Sequence, residues 1–254
     1  MQQWLGFLRS LVIYHNPVTL RAWRRFYGDL LDPQDLVFDV GAHIGNRSRA
    51  MRSAGARVVA IEPQQPFAGF LRRTLPQDIA LIEAAVGRDE VEVEMAVSSR
   101  HPTVSSLHTD FVSKAADAPG FGHVRWDATQ RVRMVTLDGL IARFGLPRYV
   151  KIDVEGYEIE VLAGLSQAVP ILSVEFLPGF PHLTHGVIDR LAELGDYRFN
   201  PVQGETGGFL WRDWRDGAAV KAWLGTLSAD ASSGDLFARL SDPGRHPESA
   251  RPDR

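Results

Sequence analysis

Residues Leu36 to Glu62 read LVFDVGAHIGNRSRAMRSAGARVVAIE. An apolar run from Leu36 to Val40, interrupted only by Asp39, leads into Gly41. Gly45 closes a tight turn, a helix-like segment follows, and a second apolar run ends on Glu62. The order is strand, glycine turn, helix, strand, acid. A buried parallel strand delivers the chain to the carboxyl edge of a sheet, and glycines let the backbone turn there without a Cβ in the way. Glu62, about twenty residues past the first glycine, falls at the tip of the neighbouring strand, where a carboxylate accepts both hydroxyls of a ribose. The stretch predicts an adenosine-type ligand on an α/β sheet.

Two absences narrow the ligand. The dinucleotide fingerprint needs G-x-G-x-x-G so that a pyrophosphate rests on the helix amino terminus, and Gly41 is followed by Ala42 and His43 with no second close glycine. No Lys-Ser or Lys-Thr follows Gly45, so a triphosphate loop is absent too. The remaining pattern, Asp-x-Gly-x-x-x-Gly, resembles motif I of S-adenosylmethionine-dependent methyltransferases. That resemblance puts Asp39, Gly41, Ala42, His43 and Gly45 around the methionine part, with Asn46 hydrogen-bonding its amino acid end.

The 254 residues suit one α/β domain with terminal or inserted extras. A net charge of -3 gives no electrostatic case for nucleic acid. Zero cysteines exclude disulfides, thiolate metal sites and a cysteine nucleophile. The apolar start, Trp4 to Tyr14, is too short to span a bilayer, contains Arg9 and has no cleavage site after a basic leader; a cytoplasmic protein is expected. Residues 1–35 read as helical, split at Pro17, with Arg21, Arg24 and Arg25 between apolar positions. Such a segment suits a lid, a homodimer contact or a membrane surface.

Further along, Gln64 to Leu75 has helical periodicity and stops at Pro76, and Ile79 to Val86 reads as a third strand. Its small apolar end, Ala84-Ala85-Val86, suits an adenine face if the first three strands are neighbours. Val91 to Val97 alternates as a half-exposed strand. Residues 98–130, with His101, His108, His123, Phe111, Phe121 and Trp126, lack periodicity and read as an insert that caps a substrate. A strand over Arg131 to Leu137 and a helix over Leu137 to Phe144 precede the second informative stretch, Tyr149-Val150-Lys151-Ile152-Asp153-Val154-Glu155-Gly156. Here again an apolar strand ends in acids and a glycine, then a helix from Tyr157. In a doubly wound sheet this fourth strand lies beside the first, across the switch point. Asp153 and Glu155 therefore face the reactive end of the ligand.

A fifth strand, Val169 to Phe176, carries Glu175 to the same edge, and a helix over Gly186 to Leu194 follows. Tyr197 to Pro201 and Gly208 to Trp211 are expected as a closing antiparallel hairpin. Ala218 to Leu227 and Gly234 to Leu240 are expected as helical, and residues 241–254, polar and proline-rich, as a disordered tail. The expected architecture is a doubly wound, mostly parallel seven-stranded Rossmann-like sheet over residues 36–240.

Taken together, Val37 to Gly45, Glu62-Pro63, Ala84 to Gly87, Ser105-Ser106-Leu107, Val135 to Asp138 and above all Lys151 to Gly156 with Glu160-Val161-Leu162 resemble the FkbM-type methyltransferase family. His43 departs from it, since the family commonly has Asn there. The resemblance implies methyl transfer from S-adenosyl-L-methionine to a hydroxyl of a sugar or specialised metabolite. It assigns Asp39, Gly41, Ala42, His43, Gly45, Asn46, Glu62, Pro63, Ala85, Val86 and Asp153 to the cofactor. An alcohol is a poor nucleophile until its proton leaves, so a carboxylate within reach is the expected helper. Asp153 is expected near the sulfonium, and Glu155 as the base or as a hydrogen-bond partner of the acceptor. A structural role competes with this one: Glu155 as a cap of the helix from Gly156 or as the partner of Lys151. Lys151 itself reads as a salt-bridge partner. Three rival readings remain. In the first, a divalent metal sits on Asp153 and Glu175, with His182 and His185 in the following loop. The second is a non-catalytic binding domain on the same fold. The third is a nicotinamide oxidoreductase, disfavoured by the missing glycine.

Overall fold

The computed structural model describes residues 17–98 and 126–241. The apolar start before Pro17, the centre of the 98–130 insert with its three histidines, Ser105-Ser106-Leu107 and the tail after Ser241 lie outside the described residues.

Seven strands form one sheet in the order β3-β2-β1-β7-β8-β10-β9. These are β1 (Leu36–Val40), β2 (Arg57–Ile61), β3 (Ala80–Ile82), β7 (Tyr149–Ile152), β8 (Ile171–Phe176), β9 (Tyr197–Gln203) and β10 (Gly234–Leu240). All neighbours are parallel except β10, which runs antiparallel to both β8 and β9. Side-chain alternation feeds two apolar layers. Phe38, Val40, Val150, Ile152, Leu172 and Val174 point to one core, and Val37, Tyr149, Ile171 and Phe237 to the other. Helices α4 (Leu137–Phe144), α5 (Glu158–Ala163), α6 (Pro181–Leu194) and α7 (Gly217–Leu224) cover the first face. On the second lie α1 (Pro17–Leu30) and α2 (Asn46–Ser53), with Leu71 of α3 (Phe67–Thr74). The chain moves outward from β1 to β3 and then returns to β7, so the switch point falls between β1 and β7.

The described part of the N-terminal segment is one helix, and its buried face carries Trp23, Phe26 and Tyr27. Such burial stabilises by about 2 kcal/mol per large side chain. The outward face carries Arg21, Arg24 and Arg25, all exposed. No helix among the described residues is long and apolar enough to cross a membrane.

Three expectations are corrected. The stretch Ile79 to Val86 divides: β3 stays in the main sheet, while β4 (Ala85–Val86) pairs with β6 (Ala128–Val135), which pairs antiparallel with β5 (Glu92–Val97). The end of the expected insert is therefore the central strand of a small second sheet. Gly208 to Trp211 is not a strand, and Gly234 to Leu240 is not a helix. The closing strand is β10, inserted between β8 and β9. Leu236 and Ala238 face one core and Phe237 the other, where it stacks on Tyr149. A strand buried on both faces has no polar side to betray its period. Finally, α6 begins at Pro181, so His182 and His185 lie on a helix and not in a loop. Proline suits the first turn of a helix because its missing N–H would be unpaired there anyway.

Candidate active site

At the switch point a cavity of ≈ 270 Å³ opens along the carboxyl edge of the sheet. One end is built from the tips of β1, β2 and β4. Gly41, Ala42, His43, Asn46, Glu62, Pro63, Ala85 and Val86, all expected to hold the cofactor, line it. Gly41 has φ +81, and a Cβ there would lie 1.9 Å from the carbonyl oxygen of Asp153, so only glycine lets β1 and β7 end side by side. His43 has φ 51, in the left-handed region where Asn and His are the tolerated side chains. That explains how histidine stands where the family commonly has Asn. Burial lowers its imidazole to about 4, so the ring is neutral near pH 7.

Glu62 is 5% exposed and is held by two backbone amides: His43 N–H donates to Oε2 at 2.7 Å and Gln64 N–H to Oε1 at 2.8 Å. Burial pushes its carboxyl up to about 7, and the Gln64 and His43 amides pull the other way. Each carboxylate oxygen retains a second lone pair for a hydroxyl. With the small wall of Ala84, Ala85 and Val86, these groups suit a ribose and an adenine.

Asp39 and Gly45 do not line the cavity. Asp39 is fully buried behind it, under α2, where Ser48 Oγ donates to its Oδ2 at 2.5 Å and Lys151 Nζ lies 3.9 Å from its Oδ1. Gly45 faces α3 instead, and a Cβ there would meet Arg49, Leu71 and Leu75. Both residues support the glycine turn from beneath.

The other end is acidic. Lys151, 2% exposed, donates to Asp153 Oδ2 at 2.8 Å. Burial alone would raise the Asp153 carboxyl, but the Lys151 ammonium more than offsets it and holds the group below its ordinary range. Glu155, with φ 54, and Glu175 complete a group in which one carboxylate oxygen from each of the three residues lies within 4.8 Å of the other two. Glu155 and Glu175 are both pushed well above the usual range, first by burial and then by neighbouring carboxylates. The helix expected from Gly156 begins at Glu158, with Tyr157 as its N-cap and no side-chain cap; Glu158 Oε1 instead accepts from Gly156 N–H at 3.2 Å and Val154 N–H at 3.3 Å in the turn before it. Lys151 pairs with Asp153 rather than Glu155. The expected His182 and His185 are not members of the acidic group.

Sequence reasoning missed the wall that closes this end. Thr19, Leu20 and Trp23 of α1, Arg47 of α2 and Glu205 line it, while Met95 of β5 and Tyr157, also missed, line the cavity beside Ala85. Trp23 Nε1 donates to Glu205 Oε2 at 2.6 Å, and Arg47 stacks over the Trp23 ring. Arg47 Nη2 also donates to Asp235 at 3.1 Å and to Glu205 at 3.3 Å. Burial would lower the Arg47 guanidinium, but Asp235 and Glu205 keep it above its ordinary range. One signal was present: Arg47 is a cation in the first turn of a helix, where the helix dipole disfavours it, so it needs partners from elsewhere.

No curated protein matches the chain. Solved structures resemble it at low identity. Precorrin-6y C5,15-methyltransferase from Geobacter metallireducens is 13% identical, with 88% of this chain and 86% of that one covered and a TM-score of 0.43. A TehB-like SAM-dependent methyltransferase from Corynebacterium glutamicum is 8% identical, with 92% and 94% covered and a TM-score of 0.48. Magnesium protoporphyrin IX methyltransferase from Synechocystis, with bound SAM, is 11% identical, with 92% and 84% covered and a TM-score of 0.45. The family profile of the methyltransferase FkbM domain matches residues 39–199, which span both acid-tipped strands and the glycine turn. The chain therefore belongs to the FkbM methyltransferase family, and its cofactor is S-adenosylmethionine.

Proposed function

We propose that the protein methylates a hydroxyl of a sugar or specialised metabolite. The observation that supports this most is the division of labour between two acids at one end of the cavity: Asp153 held ionised by Lys151 at 2.8 Å, and Glu155 beside it with a raised proton affinity. Bound here, the cofactor supplies an electrophilic methyl group on a sulfonium. The protein's part is to hold an acceptor oxygen in line with that methyl group, exclude water and take the hydroxyl proton. Glu62 would hold the ribose, and the charge of Asp153 would complement that of the sulfonium. Glu155 takes the proton, because a carboxyl whose proton affinity is raised is a stronger base than an ordinary one. Lys151 keeps Asp153 charged and fixed.

A screen of hydroxyl compounds and amines with methyl-labelled cofactor tests the acceptor class; label entering amines or carbon acceptors alone would refute it. Glu155→Gln should lower turnover by about 10²- to 10⁴-fold with cofactor affinity unchanged. Full activity of this variant removes Glu155 as the base.

The group Asp153, Glu155 and Glu175 favours a second reading. Three carboxylates that each bring one oxygen within 4.8 Å of the others suit a hard divalent cation, which would acidify the acceptor hydroxyl. Turnover that survives EDTA supports the carboxylate reading, whereas turnover lost to EDTA and restored by Mg²⁺ supports the metal.

A further inference from the structure

Besides the residues it lends to the cavity wall, the small sheet holds the backbone that follows Glu62 through one side chain, that of Gln130. Glu62 N–H is still in the ladder, donating to Ile82 O at 3.0 Å, but β3 ends at Ile82 and the backbone beyond Glu62 has no strand beside it. Gln130 of β6 supplies the next rung. Its Oε1 accepts from Gln65 N–H at 2.9 Å, and its Nε2 donates to Pro63 O at 2.9 Å. Between the two clamped residues lies Gln64, 5% exposed, whose N–H is one of the two amides on Glu62.

We propose that Gln130 is a positioning residue for cofactor binding: by clamping Pro63 and Gln65 it keeps the Gln64 N–H on Glu62 and so orients the ribose-binding carboxylate. Gln130 itself is not part of the cavity wall; it lines a separate groove on the far side of Pro63. The inference rests on the reading of Glu62 as the ribose anchor.

The groups around Glu62 set the sign of the effect. Burial disfavours its charge most, the Gln64 and His43 amides favour it, and the carboxylates Asp39 and Asp153 oppose it. The His43 ring is neutral near pH 7, and Lys151 is already matched by Asp153 and Asp39. Phe67, packed on His43 from α3, adds no charge. Losing the Gln64 amide therefore moves the Glu62 titration to higher pH.

Calorimetric titration with S-adenosylhomocysteine across pH 5.5 to 9 (a range of about three to four units around neutrality) is the test. The wild type should bind more tightly as Glu62 ionises, by at most about tenfold per pH unit for one proton, and level off above about 7. In Gln130→Ala the levelling-off should move to higher pH, with Kd at pH 7 raised roughly 5- to 20-fold and kcat at saturating cofactor within about twofold. An unchanged levelling pH, with only a lower melting temperature, would overturn the proposal. Amide hydrogen exchange in the ligand-free protein separates the clamp from the ribose reading. Gln64 and Gln65 should exchange faster in Gln130→Ala, and unchanged rates defeat the clamp. Faster exchange combined with a Glu62→Gln variant that binds normally defeats the ribose assignment, and the cofactor role of Gln130 with it.

Discussion

The two ends of the cavity are built by different means. At the cofactor end three short stretches, Gly41 to Asn46, Glu62 to Phe67 and Ala84 to Val86, supply nearly the whole wall, and the one charged group is satisfied by backbone amides. At the acidic end, where the acceptor is proposed to bind, side chains arrive from several separate segments, and charge is met by charge: Lys151 on Asp153, and Arg47 on Asp235 and Glu205. The first arrangement needs only that strands end together at a switch point. The second needs α1, the turn after β9 and the tip of β10 to be docked as well, so it depends on the whole tertiary fold.

Substitutions can break this contrast, beginning with the largest effect. Gly41→Ala pushes a Cβ against the Asp153 carbonyl at a backbone angle that side chains avoid. It should cost about 3 kcal/mol or more and abolish cofactor binding, which thermal melting with and without S-adenosylhomocysteine would reveal. Arg47→Met acts at the other end, leaving Asp235, 6% exposed, without its cation. A loss of about 3 kcal/mol in urea denaturation is expected, from breaking a buried pair by removing one partner. The smallest effect has the opposite sign. Gly28 of α1 has open space where a Cβ would go, so Gly28→Ala should stabilise the acceptor-side helix by about 0.5–1 kcal/mol.

Titration sharpens the contrast further. Glu62, raised from 4.5 to about 7 by burial, contributes stability that is complete below pH 4.5 and lost as pH rises through about 7. Glu158 behaves likewise, at about 7. Ligand-free protein should therefore lose stability over this window, and S-adenosylhomocysteine should restore part of it, because ionised Glu62 then gains hydroxyl partners.

The same contrast explains what the sequence could disclose. A glycine turn between two apolar runs and an acid at a strand tip are local patterns with one geometric meaning, so β1, β2, β7 and the cofactor wall were legible. Asp153 was legible for the same reason. Glu205 and Arg47 meet only in three dimensions, with 157 residues between them, and no periodicity marks that meeting. The closing strand was missed because GDLFARL, buried on both faces, has neither a clean alternation nor a polar stripe. The cap expected at Gly156 was misplaced: the helix begins at Glu158, and the Glu158 carboxylate accepts from the Val154 and Gly156 amides of the preceding turn.

On the proposed mechanism one end of the cavity binds the cofactor and the other end reacts. Calorimetric titration of S-adenosylhomocysteine into wild type, Glu62→Gln and Glu155→Gln tests it most directly. The wild type should bind, Glu62→Gln should bind roughly 10- to 100-fold more weakly through loss of hydrogen bonds to a charged group, and Glu155→Gln should match the wild type within about twofold. Equal weakening in both variants, or no binding by the wild type, would show that the two ends do not divide binding from chemistry in this way.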